Sequence, residues 1–131
     1  MNKKTLLILG FLIVCFGTAF MQFHGSVSPK KEISVQSFVI KQIITDGKKK
    51  ISSDTKIASG STALQLLNTT HKIVAKGEKE NAFITAIDGR VADPQKKEFW
   101  AFYVNGKQAQ VGAGSYIIKK NDTIEWKIET Y

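Results

Sequence analysis

Apolar and polar positions along this chain fall into three rhythms. Over residues 6–16 nearly every position is apolar, with Gly10 the one interruption. From Glu32 onward, apolar residues recur in short β-branched and aromatic runs separated by Gly, Asn and Asp, the pattern of strands joined by tight turns. Ile33, Val35 and Phe38–Ile44 form the first extended segment, and Lys48–Ala58 returns as a more polar strand. Asp46-Gly47 between them predicts a hairpin turn, because both residues tolerate positive φ. The third rhythm, a helical one, occurs once. Ser59-Gly60-Ser61 precedes Thr62–Leu67, with Ala63, Leu64 and Leu67 on one face and Ser61 placed to cap the first N–H groups. About two turns of helix are too short to persist alone, so this segment must pack on a sheet.

His71–Ala75 and Ala82–Ile87 read as further strands, with Lys76-Gly77-Glu78 between them. Asp88-Gly89 ends the second, and Arg90–Glu98 is a polar loop containing Pro94. Phe99–Val104 carries the strongest strand pattern, and Asn105-Gly106 after it is a strong short hairpin signal. Lys107–Val111 is expected to return beside it, Gly112–Gly114 to form a flexible corner, and Tyr116–Lys119 and Thr123–Glu129 to be the last strands, split by Asn121-Asp122. Alternation places Trp100, Phe102 and Val104 on one face and Ala101, Tyr103 and Asn105 on the other. Ile124, Trp126 and Ile128 likewise share a face, and these apolar sets should cover Leu64 and Leu67 of the helix. The expected fold is α+β and β-grasp-like: a mainly antiparallel, curved sheet of four or five strands holding one short helix. An N-terminal signal or anchor helix precedes it.

That N-terminus carries its own chemistry. Asn2-Lys3-Lys4, the apolar run and Gly17-Thr18-Ala19 resemble a secretory signal with cleavage after Ala19; Gly25 is a weaker site, and an uncleaved anchor over Thr5–Met21 is the rival. Either reading places the remainder outside the cytoplasmic membrane, secreted or anchored to its outer face, with membrane contact only through residues 1–21. Residues 1–19 are then an address, 20–31 a tether, and 32–131 the domain. Cys15 is the single cysteine, so an internal disulfide is excluded, and Val14 before it departs from the lipoprotein pattern.

The net charge of +8 is dispersed over Lys30-Lys31, Lys48–Lys50, Lys96-Lys97 and Lys119-Lys120. Lysines so spread solvate loops and protect strand edges. Outside the membrane a basic surface meets lipid headgroups or wall polymers, not nucleic acid. No enzyme constellation emerges. Neither His24 nor His71 lies in an HxxxH or HExxH spacing, no Gly-x-Ser-x-Gly elbow occurs, and Gly60-Ser61-Thr62 lacks the phosphate-loop lysine. His71 reads as a surface residue. A helix N-terminus can hold an anion, but capping accounts for the same residues. Asp88, Asp93 and Glu98 lack the alternating oxygens of a calcium loop. Both tryptophans and all three tyrosines lie between residues 100 and 131. Trp100 and Trp126 are expected in the core, whereas an aromatic near the Gly112–Gly114 corner could stack on a flat ligand.

Gly60–Leu67, Phe83–Gly89, Trp100–Lys107 with its Trp-x-x-Tyr-Val-Asn-Gly element, and Asn121–Trp126 together resemble the transcobalamin-like C-terminal domain family over about residues 33–131. Asn121 stands where that family usually has Gly, and Asn also accepts a left-handed turn. The resemblance implies an exported, non-enzymatic binding module. It also implies a corrinoid or similar flat, polar-edged small ligand, with no covalently bound cofactor, and a membrane uptake system as partner; the residue spacings above give no metal site. The ligand edge it suggests is Tyr103, Asn105 and the Gly112, Gly114, Tyr116 corner. The alternative is a cell-surface structural module recognising protein or wall polymer.

Overall fold

The computed structural model describes residues 34–131. The address, Cys15 and the tether lie outside the described residues. Among the described residues eight strands and one α-helix follow in chain order: β1 (Ser37–Thr45), β2 (Lys50–Ala58), α1 (Ala63–Thr70), β3 (Ile73–Lys76), β4 (Phe83–Ile87), β5 (Arg90–Val91), β6 (Glu98–Val104), β7 (Lys107–Gln108) and β8 (Thr123–Thr130). They form an α+β arrangement of two sheets. The larger has the order β2-β1-β8-β6-β7 and the smaller β3-β4-β5. The larger sheet is mixed: β1 and β8 run parallel, Lys41 beside Thr123 to Thr45 beside Lys127, whereas every other pair is antiparallel. A parallel pair cannot be joined by a tight turn, so the whole of α1 and the smaller sheet lies in the crossover between β1 and β8.

The turns explain where strands start and stop. Asn105 and Gly106 both have positive φ, at 52° and 80°, as a two-residue hairpin between β6 and β7 requires. Asp88-Gly89 does the same, with φ of 48° and 83°, so it does not merely end β4: it turns the chain back into β5. Asp46 works differently. Its Oδ1 accepts from the backbone N–H groups of Lys48 and Lys49 at 2.9 and 2.8 Å, closing a four-residue loop between Thr45 and Lys50. The expected polar loop 90–98 therefore contains a strand and a 3-10 turn at Pro94–Lys96. Asn121 takes the left-handed conformation expected of it, with φ of 72°.

The helix starts one residue later than its sequence suggests. Thr62, not Ser61, is the N-cap: its Oγ1 accepts from Gln65 N while Gln65 Oε1 accepts from Thr62 N, a complete capping box. The buried stripe is accordingly Ala63, Leu66 and Leu67, and Leu64 is only partly buried against the core. Leu66 and Leu67 are 1% and 0% exposed and pack with Ile40, Ile44, Trp100, Phe102, Ile124 and Trp126 in one cluster. Trp100 and Trp126 thus serve the core as expected, with Phe102 stacked on Trp126 at 5.0 Å. Buried Gln42 accepts from Thr70 Oγ1 at 2.9 Å, tying the helix end to β1.

Two expected strands are shortened or lost. The return after Asn105-Gly106 keeps ladder pairing only at Lys107–Gln108, because the chain then turns inward to bury Ala113. Tyr116–Lys119 makes one isolated bridge, Thr62 with Ile117. Its backbone serves the helix instead: the Tyr116 carbonyl accepts from Ala63 N at 3.0 Å, and Ile118 N donates to the Ser61 carbonyl at 3.0 Å. Among the described residues no helix is long and apolar enough to cross a membrane.

Candidate functional site

The Asn105-Gly106 hairpin and the Gly112–Tyr116 corner meet at one buried carboxylate that the sequence did not single out. Asp122 accepts from Asn105 Nδ2 at 2.9 Å, from the Tyr116 hydroxyl at 2.8 Å and from Lys119 N at 2.8 Å. Asn105 Oδ1 accepts in turn from Thr123 N at 2.8 Å. Burial works against the Asp122 charge, but these three donors outweigh it and hold the carboxyl below the usual carboxylate range. Burial, and then the hydrogen bond to Asp122, pushes the Tyr116 hydroxyl up to about 12. Asn105 and Tyr116 are therefore brought together, with their polar groups engaged inside the protein.

Gly112 and Gly114 lie beside them for a packing reason. A Cβ on Gly112 would stand 2.9 Å from the Glu80 carbonyl oxygen, and one on Gly114 would overlap the Lys79 carbonyl. The corner rests on the 3-10 turn Lys79–Asn81. Its Ala113 carbonyl accepts from Leu64 N at 3.0 Å, so this corner is bound at both ends. With Ala63 N and Leu64 N bonded to the corner, and Thr62 N and Gln65 N bonded within the capping box, the start of α1 has no donor left for an anion.

Tyr103 stands apart on the opposite face of β6. Its hydroxyl donates to Glu129 at 2.7 Å, and Lys127 Nζ lies 4.0 Å from its ring centre while bonding Glu129 at 2.9 Å. The bond to Glu129, and then burial, raises the Tyr103 phenol above its ordinary value. The five expected ligand residues thus divide into a hub of four and a separate outer-face cluster.

The exposed apolar surface is elsewhere. Phe83 of β4, Val91 of β5, Ala92, Pro94, Phe99 of β6 and Tyr131 line a cleft of about 430 Å³, edged by Lys76, Thr85 and Glu98. Phe83 is 52% exposed and Tyr131 79% exposed, and the Phe99 and Tyr131 rings are 6.1 Å apart at 55°. Phe83 and Phe99 also border a second pocket of about 210 Å³, which runs past Ala101 and Val111 to Gly112. Gly112 is the one expected ligand residue on this apolar surface. A signal for it lay in strand parity: Phe99 alternates with Trp100, so it points away from the core while being aromatic.

At the polar rim, Glu98 is held by an ion pair. Glu98 Oε2 accepts from Arg90 Nη2 at 2.8 Å and from Asp93 N at 3.0 Å, and its carboxyl lies below the ordinary range through the Asp93 bond and then the Arg90 bond. Trp100 Nε1 donates to the Arg90 carbonyl at 3.1 Å, which ties β5 to the core side of β6. His71 is not a free surface histidine: its Nδ1 contacts Asp88 Oδ2 at 2.6 Å, joining the end of α1 to the β4–β5 turn. Among the described residues no three His, Cys, Asp or Glu side chains gather as a metal site.

A short-helix α+β module with an aromatic cleft at the junction of its two sheets is the class that this geometry defines. The sequence belongs to the DUF4430 family, described as a domain of unknown function, whose model matches residues 60–130. No curated protein matches the chain. Among solved structures it is similar to haptocorrin in complex with Cbi, at 19% identity and a TM-score of 0.64, over 74% of this chain and 26% of that one. The chain therefore spans about a quarter of the length of haptocorrin. It is also similar to a Ruminococcus gnavus ATCC 29149 protein described as a candidate metal binding protein, at 17% identity and a TM-score of 0.60, over 71% of this chain and 97% of that one. These likenesses are of fold, and they agree with the transcobalamin-like family indicated by the sequence motifs.

Proposed function

We propose that this chain is an exported, non-enzymatic binding module that takes a corrinoid or another flat, polar-edged ligand. The ligand lies against Phe83, Phe99 and Tyr131, with Lys76, Thr85 and Glu98 at its polar edge. The observation that carries this reading is the exposed aromatic cleft itself. Its volume of about 430 Å³ falls within the roughly 300–1,000 Å³ of small-molecule sites, and large exposed aromatics on a small domain mark a binding surface. The fold shared with haptocorrin supports the ligand class. The parallel β1–β8 pair with α1 in its crossover supports the β-grasp-like reading of the architecture. The basic start and apolar run at residues 2–16 support export, and a membrane uptake system is the partner that such an exported binder serves.

The test is a titration of the full-length chain with cobinamide and with cobalamin, following corrin absorbance and tryptophan fluorescence. Trp100 follows Phe99 of the cleft in β6 and bonds the carbonyl of Arg90, the residue before Val91 of the cleft, so a chromophore bound there is close enough to quench its fluorescence. Phe83→Ala and Tyr131→Ala should each weaken binding about tenfold, from the loss of roughly 1–2 kcal/mol of stacking and buried area. Absence of any optical change at high micromolar ligand would rule out a corrinoid.

A further inference from the structure

We propose that β2 is a self-pairing edge, through which two copies of this chain join antiparallel with Asp54 of each opposite Lys56 of the other. β2 is the terminal strand of the five-stranded sheet, and among the described residues no strand pairs with its outer side. Its nine residues pair with β1 without a register shift and contain neither Pro nor Gly. Such an unbroken edge offers a row of main-chain donors and acceptors to another strand.

Which residues offer them follows from the ladder. Asp46 N donates to Lys49 O at 3.1 Å and Ser59 N donates to Gln36 O at 2.7 Å, so hydrogen-bonded pairs bracket both ends of the hairpin. Hydrogen-bonded and non-hydrogen-bonded pairs alternate along an antiparallel ladder. Residues 51, 53, 55 and 57 therefore turn their main-chain groups toward β1, and 50, 52, 54, 56 and 58 turn theirs outward. A two-fold pairing must set outward residues against outward residues.

Three such registers overlap seven residues or more, and charge separates them. Centring on Ser53 sets Lys50 against Lys56 twice. Centring on Asp54 sets that carboxylate against its own copy. Centring on Thr55 pairs residues 52–58 and sets Asp54 against Lys56 on both sides of the axis. Opposite charges directly across a ladder stabilise it and like charges destabilise it, so the third register is selected. In it each Asp54 lies between Lys41 on β1, its Cα partner, and Lys56 of the second copy. No ion pair within the described residues already uses Asp54 or Lys56. The joined edges form one ten-stranded sheet, and the Phe83–Tyr131 cleft, on other strands, is not part of the seam.

The two-fold register places Thr55 opposite Thr55 as a non-hydrogen-bonded pair. Their Cα atoms then stand about 4.5 Å apart, within disulfide reach. The experiment uses the full-length chain with Cys15→Ser, carrying Thr55→Cys, Ser53→Cys or Asp54→Cys, oxidised in intact cells and resolved by non-reducing electrophoresis. Thr55→Cys should give an adduct of twice the chain mass in several-fold greater yield than the other two. Adding Asp54→Lys should reduce that yield several-fold, and adding Lys56→Asp to it should restore it. Three results would each overturn the pairing: no double-mass adduct, a leading yield from Ser53→Cys or Asp54→Cys, or indifference to the charge reversal. Adducts of any other mass would assign the edge to a different protein's strand.

Discussion

Asp122 accepts three hydrogen bonds, and none of its partners is its neighbour in an obvious motif. Asn105, Tyr116 and the Lys119 backbone converge on it, so one side chain fixes the β6–β7 turn, the Gly112–Tyr116 corner and the entry to β8. Removing an acceptor from a buried network costs about 1–3 kcal/mol, and Asp122→Asn should destabilise the protein by that order at pH 6. The sign of the pH dependence follows from the lowered carboxyl. The stabilisation is complete above the ordinary carboxylate value of about 3.8 and is lost as pH falls through the lower folded value. Urea unfolding of both proteins from pH 6 to pH 2 should show the two stabilities converging below that point. A gap that stays constant to pH 2 would show that the charge contributes nothing. Gly114→Ala should cost more than Gly112→Ala, because its Cβ would overlap the Lys79 carbonyl outright whereas one on Gly112 would stand 2.9 Å from the Glu80 carbonyl oxygen; overpacking of this kind costs about 1–3 kcal/mol, readable as the difference in melting temperature. The sequence made Asn105, Gly112, Gly114 and Tyr116 visible as turn and aromatic residues. It left Asp122 hidden, because a lone aspartate after Asn reads as turn chemistry until the chain is folded.

At the scale of elements, strand alternation was legible and loop detail was not. The faces of β6 and β8 follow directly from period two, and Trp100, Phe102, Ile124 and Trp126 are buried as that period requires. The helix was legible as a helix but displaced by one residue, since Ser61 and Thr62 are both good caps. The choice between them rests on Gln65 standing three residues after Thr62. Leu66→Ala and Leu64→Ala discriminate the two registers: the first should cost about 2–5 kcal/mol as a core truncation, and the second clearly less, by chemical denaturation. Thr62→Ala should cost about 1 kcal/mol through the lost cap, with Ser61→Ala near neutral. Tyr116–Lys119 looked like a strand because it alternates, yet its hydrogen bonds go to the start of α1. Periodicity reports which side of a segment is buried, not which backbone it bonds.

For the whole molecule, the apolar surface is the feature that local patterns showed only at Phe99. Phe83, Val91, Phe99 and Tyr131 come from β4, β5, β6 and the residue after β8. They are brought together because Asp88-Gly89 folds β5 back against β4 and Arg90 ties that hairpin to Glu98. Arg90→Ala should therefore loosen ligand binding without touching the ligand, while Tyr103→Phe, four residues along β6 from Phe99 and not among the residues lining the cleft, should leave it unchanged. Both are read in the same titration. The measurement that bears most directly on the account is cobinamide binding by the full-length chain beside its Phe83→Ala and Tyr131→Ala variants. A corrinoid in the cleft should give a saturable change in corrin absorbance with tryptophan quenching, weakened about tenfold, or roughly 1.4 kcal/mol, in each variant. A flat titration of the unaltered chain at high micromolar ligand, or binding indifferent to both substitutions, would contradict it.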